Sequence, residues 1–200
     1  LPDHHKETAV ALSTIVRQCE LRNDDDRLRE MWPVMLRGME HLRRMRDDSF
    51  KLGKDYPAYG LFQPSFGDGG IYGPEPEYTT PMNVILGLSD AYRAGKRLKL
   101  PRYEEFGVFA QELMARMREC IERDRGTTPE GIPYVPLSMA ENESYKPQTG
   151  CATIARVAFH GEFEPDDRIV TDLLRLIDAC DDREGIPECT GWRSDQSIYT

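Results

Sequence analysis

The chain has 200 residues, enough for one domain or part of a larger one, and its 39% hydrophobic and 30% charged residues are ordinary for a helix-rich globular chain. A net charge of −9 sets it against a nucleic-acid backbone or an anionic membrane surface as partner, since both reward clustered Lys and Arg. No apolar run is long enough to span a bilayer and no basic-then-apolar signal pattern is present, so the compartment stays open.

Apolar residues recurring about every 3.6 positions predict six amphipathic helices. The first covers about 6–22, with Val10, Leu12, Ile15, Val16 and Cys19 on one side. The second, about 25–47, carries Leu28, Met31, Trp32, Met35, Met39, Leu42 and Met45, a stripe that reads as helix-packing core. Pro33 lies inside it and is expected to kink the helix or shift its start. The third runs from Thr80 as N-cap and Pro81 at the first helical position to about residue 97. Pro101 opens the fourth, whose face is Phe106, Phe109, Leu113, Met117 and Ile121. The fifth spans about 149–160 and the sixth about 165–181, with Ile169, Leu173, Leu176 and Ile177. Cys19, Cys120 and Cys180 fall on apolar faces as buried thiols; with Cys151 and Cys189 they make an odd, widely spaced set that gives no disulfide framework.

No segment alternates in the β manner, so the chain reads as all-α. Helices two, four and six are charged on one face, whereas three and five carry small and apolar residues such as Gly87, Leu88, Ala91, Ala152, Ala155 and Ala158. Outer, solvated helices therefore alternate with inner, buried ones. The helices pair as antiparallel hairpins at about 6–47, 80–124 and 149–181, separated by long connections at 48–79, 125–148 and 182–200. Each long connection carries a related phrase: Gly60-Leu61-Phe62-Gln63-Pro64, Gly131-Ile132-Pro133-Tyr134-Val135-Pro136 and Gly185-Ile186-Pro187. All long loops then gather at one end, where the inner helices present their N-termini.

The first long loop is the richest in chemistry. Residues 59–81 combine glycines with Phe62, Phe66, Tyr72 and Tyr78 and the carboxylates Asp68, Glu75 and Glu77. Flat rings to stack on and carboxylates for hydrogen bonding or proton transfer are what a sugar site needs. Glycoside hydrolysis uses two carboxyl groups flanking the scissile bond, and Asp68 and Glu77 are the catalytic candidates. Asp68 also fits a turn in Asp-Gly-Gly, and Glu77 fits a dipole-stabilised helix start. The substrate-binding candidates are Phe66, Tyr72, Glu75, Tyr78, Tyr134, Glu143, Gln148, Trp192 and Asp195. The four histidines show no metal-ligand spacing, and no cofactor loop or nucleophile elbow is present, so neither metal nor cofactor is expected.

The phrase Gly60-Leu61-Phe62-Gln63-Pro64 leading into Phe66-Gly67-Asp68-Gly69-Gly70-Ile71 and Glu77-Tyr78-Thr79 resembles the substrate-side loop of the six-hairpin glycosidases. Gly185-Ile186-Pro187, with Thr190-Gly191-Trp192 and Asp195, resembles the equivalent loop of a following hairpin. That superfamily is built on an (α/α)6 toroid, six inner helices ringed by six outer ones. The resemblance implies an incomplete toroid of about three hairpins, a carbohydrate substrate, and a remaining half supplied from outside these residues. Two alternatives stand beside hydrolysis: sugar epimerisation or polysaccharide lysis on the same toroid, and a non-catalytic α-helical repeat module binding carbohydrate or protein.

Overall fold

The computed structural model describes residues 5–66, 74–140 and 161–179, with Phe66 by its backbone alone. These residues are mostly helical. The helices are α1 (Glu7–Leu21), α2 (Asp25–Ser49), α3 (Thr79–Leu98), α4 (Tyr103–Asp124) and α5 (Arg168–Ala179). Two short antiparallel ribbons accompany them: β1 (Ser65–Phe66) with β2 (Pro74–Glu75), and β3 (Gly126–Thr127) with β4 (Pro133–Tyr134). The all-α expectation holds, the ribbons being two residues per strand.

Local chemistry explains the turns. Asn23 takes a left-handed φ of 53°, a conformation its short polar side chain tolerates, and the amide of Asp24 closes the turn on the Cys19 carbonyl at 2.8 Å. The Asp24 carboxylate then caps α2 by accepting from the Arg27 amide at 3.0 Å. α2 runs unbroken through Pro33, which faces solvent; the Arg29 carbonyl that loses its intrahelical donor there can bond water instead. Lys99 and Arg102 are both left-handed in the link from α3 to α4, so α4 begins at Tyr103, two residues later than Pro101 suggested. α3 starts at Thr79 with Tyr78 as its N-cap. Pro81 therefore falls third rather than first, still within the turn whose amides lack helical partners.

The packing separates inner from outer helices. Every residue of α3 from 79 to 91 is buried, and this helix lies against α1 on one side and α4 on the other. The approach to α1 is close enough that Ala9, not Val10, faces inward, which leaves Val10 38% exposed against expectation. α2 and α4 bury one stripe each: Leu28, Trp32, Met35, Met39 and Leu42 from the first, and Phe106, Phe109, Leu113, Met117 and Ile121 from the second. Each such side chain contributes roughly 1.5–3 kcal/mol when fully buried. Trp32 stacks on Phe106 at 5.1 Å, donates its indole N–H to the Pro101 carbonyl at 2.9 Å, and fills the space left by Gly95. Charged outer faces are tied by Arg46 to Glu112 at 3.3 Å and Arg102 to Glu40 at 3.0 Å. α5 buries Ile169, Leu173 and Leu176, and Asp167 ahead of it pairs with Arg118 of α4 at 2.7 Å. The expected fifth helix, 149–160, lies outside the described residues.

Candidate functional site

The first two long connections meet at the N-terminal end of α3. Leaving α2, the first loop is tied back to it: the Gly60 amide donates to Ser49 Oγ at 3.0 Å and Gln63 Nε2 to the Asp48 carbonyl at 3.3 Å. Leu61 and Phe62, the apolar centre of the phrase 60–64, are in the core. The loop continues through β1 and returns in β2, where Glu75 is paired with Ser65. The second loop then joins it. The Met139 amide donates to the Pro76 carbonyl at 2.9 Å, and the Tyr78 amide donates to the Leu137 carbonyl at 3.0 Å. Glu77 and Ser138 face each other across this bridge.

A compact set of buried polar side chains surrounds the junction: Ser65, Glu77, Thr79, Thr80, Asn83 and Ser138. Thr79 Oγ1 donates to Glu77 Oε2 at 3.0 Å, so the carboxylate is engaged at the first residue of the helix. Ser65 Oγ and Thr80 Oγ1 share a hydrogen bond of 2.9 Å that fastens β1 to α3. Asn83 Nδ2 donates to the Thr79 carbonyl at 2.7 Å and Ser138 Oγ accepts from the Ala140 amide at 3.1 Å. A carboxyl group here can accept from or exchange a proton with a hydroxyl, in a polar setting sheltered from bulk water.

Below the junction Tyr78 is completely buried, and its hydroxyl donates to Asp124 Oδ2 at 2.7 Å. Burial, reinforced by this hydrogen bond and by the negative charge of Asp124, pushes the phenol far above its usual range, so it stays protonated. A second buried carboxylate, Asp90, lies eleven residues along α3, about 16 Å at the helical rise of about 1.5 Å per residue. It accepts from Ser13 Oγ at 2.6 Å, Arg17 Nε at 2.9 Å and Arg93 Nη2 at 2.6 Å. Burial alone would raise its pKa; these donors outweigh burial and hold it below the usual aspartate value. The Asp90 group joins α1 to α3 and is part of the scaffold. Two open clefts also lie away from Glu77. One of about 480 Å³ is lined by Arg46, Phe50, Tyr59, Gly60 and Arg116, and one of about 310 Å³ includes Cys19, Arg22 and Met31. Among the described residues no group of three or more His, Cys, Asp and Glu could hold a metal ion, and no helix is long and apolar enough to cross a membrane.

No family model, curated protein or solved structure matches this chain.

Of the residues singled out from the sequence, Glu77 is at the centre of the junction and Glu75 lies half-buried two positions before it. Tyr78, expected as a substrate contact, has no accessible surface: its ring belongs to the core and its hydroxyl is taken up by Asp124. The Tyr134 ring is half-buried over Gly126, where a β-carbon would approach the ring to 2.5 Å; it packs the β3–β4 ribbon. Asp68, Tyr72, Glu143, Gln148, Trp192 and Asp195, and the Phe66 side chain, lie outside the described residues. Sequence reasoning missed Ser65, Thr79, Asn83, Ser138 and Asp124. The available signal was polarity out of place: Thr79 and Asn83 stand on a helix otherwise composed to be buried.

Proposed function

We propose that this chain forms one wall of a glycoside hydrolase site, with Glu77 as one of the two carboxyl groups that flank the scissile bond. The observation that carries this reading is the junction itself. Two long loops are stitched by backbone hydrogen bonds on either side of a buried carboxylate, at the N-terminal end of a helix whose residues 79–91 are all buried. Loops held by a rigid helical scaffold are where catalytic groups concentrate. The second carboxyl group is assigned to Asp68, which the same loop carries nine residues earlier. The finer fold belongs to this proposal: the buried α3, packed against α1 and α4, supports hairpins of an (α/α)6 toroid.

Glu77→Gln and Asp68→Asn in the full-length protein, assayed on a panel of aryl glycosides and oligosaccharides, test it. Loss of turnover by a factor of about 10³ or more with an unchanged melting temperature supports the assignment. Turnover at the wild-type rate in both variants overturns it.

A second reading is favoured by one specific observation, the burial of Glu77 together with its bond to Thr79. In a non-catalytic helical repeat module the same carboxylate would simply pin the loop to the helix. Glu77→Gln would then lower the melting temperature, and the wild type itself would turn over none of the glycosides.

A further inference from the structure

Glu77 lies between two residues whose backbones are fixed by the second loop, Pro76 through its carbonyl and Tyr78 through its amide. Tyr78, the N-cap residue of α3, makes no side-chain cap; the local ties at the helix start are the Thr79–Glu77 and Ser65–Thr80 side-chain bonds. Tyr78 adds a constraint from below. Its hydroxyl donates to Asp124, the last residue of α4, at 2.7 Å. Asp124 is in turn gripped through both carboxylate oxygens by Arg123, Nε at 2.5 Å and Nη2 at 2.7 Å. The remaining arm of Arg123, Nη1, donates to the Pro57 carbonyl at 2.8 Å in the first loop. One continuous chain of hydrogen bonds thus runs from Pro57 through Arg123 and Asp124 to Tyr78, next to Glu77.

We infer that Tyr78 and Asp124 are positioning residues for Glu77: the buried phenol–carboxylate bond, oriented by Arg123, sets where the Glu77 carboxyl group is held between the two loops. The inference rests on the glycosidase reading. Its physical basis is that a phenol donor, a carboxylate and a guanidinium form a planar, charge-assisted arrangement with little freedom. Any buried phenol needs an acceptor; here the acceptor is a carboxylate that Arg123 ties in turn to the first loop, so the bond links the start of α3 to the end of α4 and to Pro57. Tyr78→Phe keeps the ring and removes only the bond, leaving Asp124 still paired with Arg123. Asp124→Asn keeps an acceptor for the phenol and removes the charge that holds Arg123.

The experiment compares wild type, Tyr78→Phe, Asp124→Asn and Glu77→Gln in the full-length protein, with p-nitrophenyl glycosides as probes. Tyr78→Phe is expected to lower kcat about 10–100-fold, the scale of a carboxyl group displaced by about an ångström, while KM changes by less than about two-fold. The pH–rate limb that belongs to the Glu77 carboxyl group moves with it, which loss of core packing alone would not cause. Asp124→Asn shows the same split with a smaller loss, and covers the case in which Tyr78→Phe fails to fold. If Glu77→Gln is inactive while both other variants keep the wild-type kcat and pH profile, the positioning role is overturned and the catalytic assignment stands. If the wild type cleaves none of the probes, or Glu77→Gln turns over normally, the reading of the site fails and this inference with it.

Discussion

The main-chain oxygen of Ala9 occupies the space beside Gly87: a β-carbon on residue 87 would lie 2.3 Å from it. That distance is far inside van der Waals contact, and the obstacle is backbone, which cannot swing aside as a side-chain tip can. The contact is a close approach of α1 to α3, the buried helix whose start presents Glu77.

Gly87→Ala is therefore expected to destabilise the protein even though alanine is the better helix former by about 1 kcal/mol. Overpacking typically costs about 1–3 kcal/mol, and a clash with backbone belongs at or above the top of that range. Urea denaturation should show a net loss of about 2 kcal/mol or more, and a variant as stable as wild type would refute the close approach.

Asp90 should make stability depend on pH in a defined direction. Its pKa in the fold is depressed below the ordinary 3.8: burial opposes the charge, but Ser13, Arg17 and Arg93 prevail. A depressed carboxylate contributes stability that is present above its unfolded pKa and lost as pH falls through the folded value. Asp90→Asn should cost roughly 2 kcal/mol at pH 7, less than the 3–5 kcal/mol of a fully buried broken pair because Arg17 and Arg93 are half exposed. The gap between the two proteins should close as pH drops below about 4. A gap that does not narrow at all as pH falls below about 4 would mean that packing, not ionisation, accounts for the loss.

Cys19 and Cys120 should be poor nucleophiles in the native state. Burial pushes both thiols up; the nearby Asp24 adds to this for Cys19, while Arg116 and Arg123 only partly counter it for Cys120. A short pulse of iodoacetamide near pH 8, read by peptide mass spectrometry, should leave both unmodified until urea unfolds the chain. Rapid native alkylation of either would contradict the burial of its helix face.

How far the sequence carries can be seen residue by residue. The stripe Phe106, Phe109, Leu113, Met117 and Ile121 was legible as a core face because helical spacing alone puts those side chains on one side. The same reasoning misjudged Val10, since periodicity gives the apolar side of a helix but not the distance of its neighbour, and only a close neighbour turns Ala9 inward. At the site, Glu77 was legible as a carboxylate before a helix start. Tyr78 was expected as a substrate contact because the acceptor that takes up its hydroxyl, Asp124, lies 46 residues away in the chain.

The order of helices, the contrast between a buried α3 and charged α2 and α4, and the place of the long loops were determined by sequence alone, because each follows from local spacing and side-chain polarity. The stitching of the first loop to the second, the Ala9–Gly87 approach and the chain from Pro57 to Tyr78 were decided only by tertiary structure. Each joins residues far apart in the chain, and no local preference specifies which distant backbone group will satisfy a buried donor.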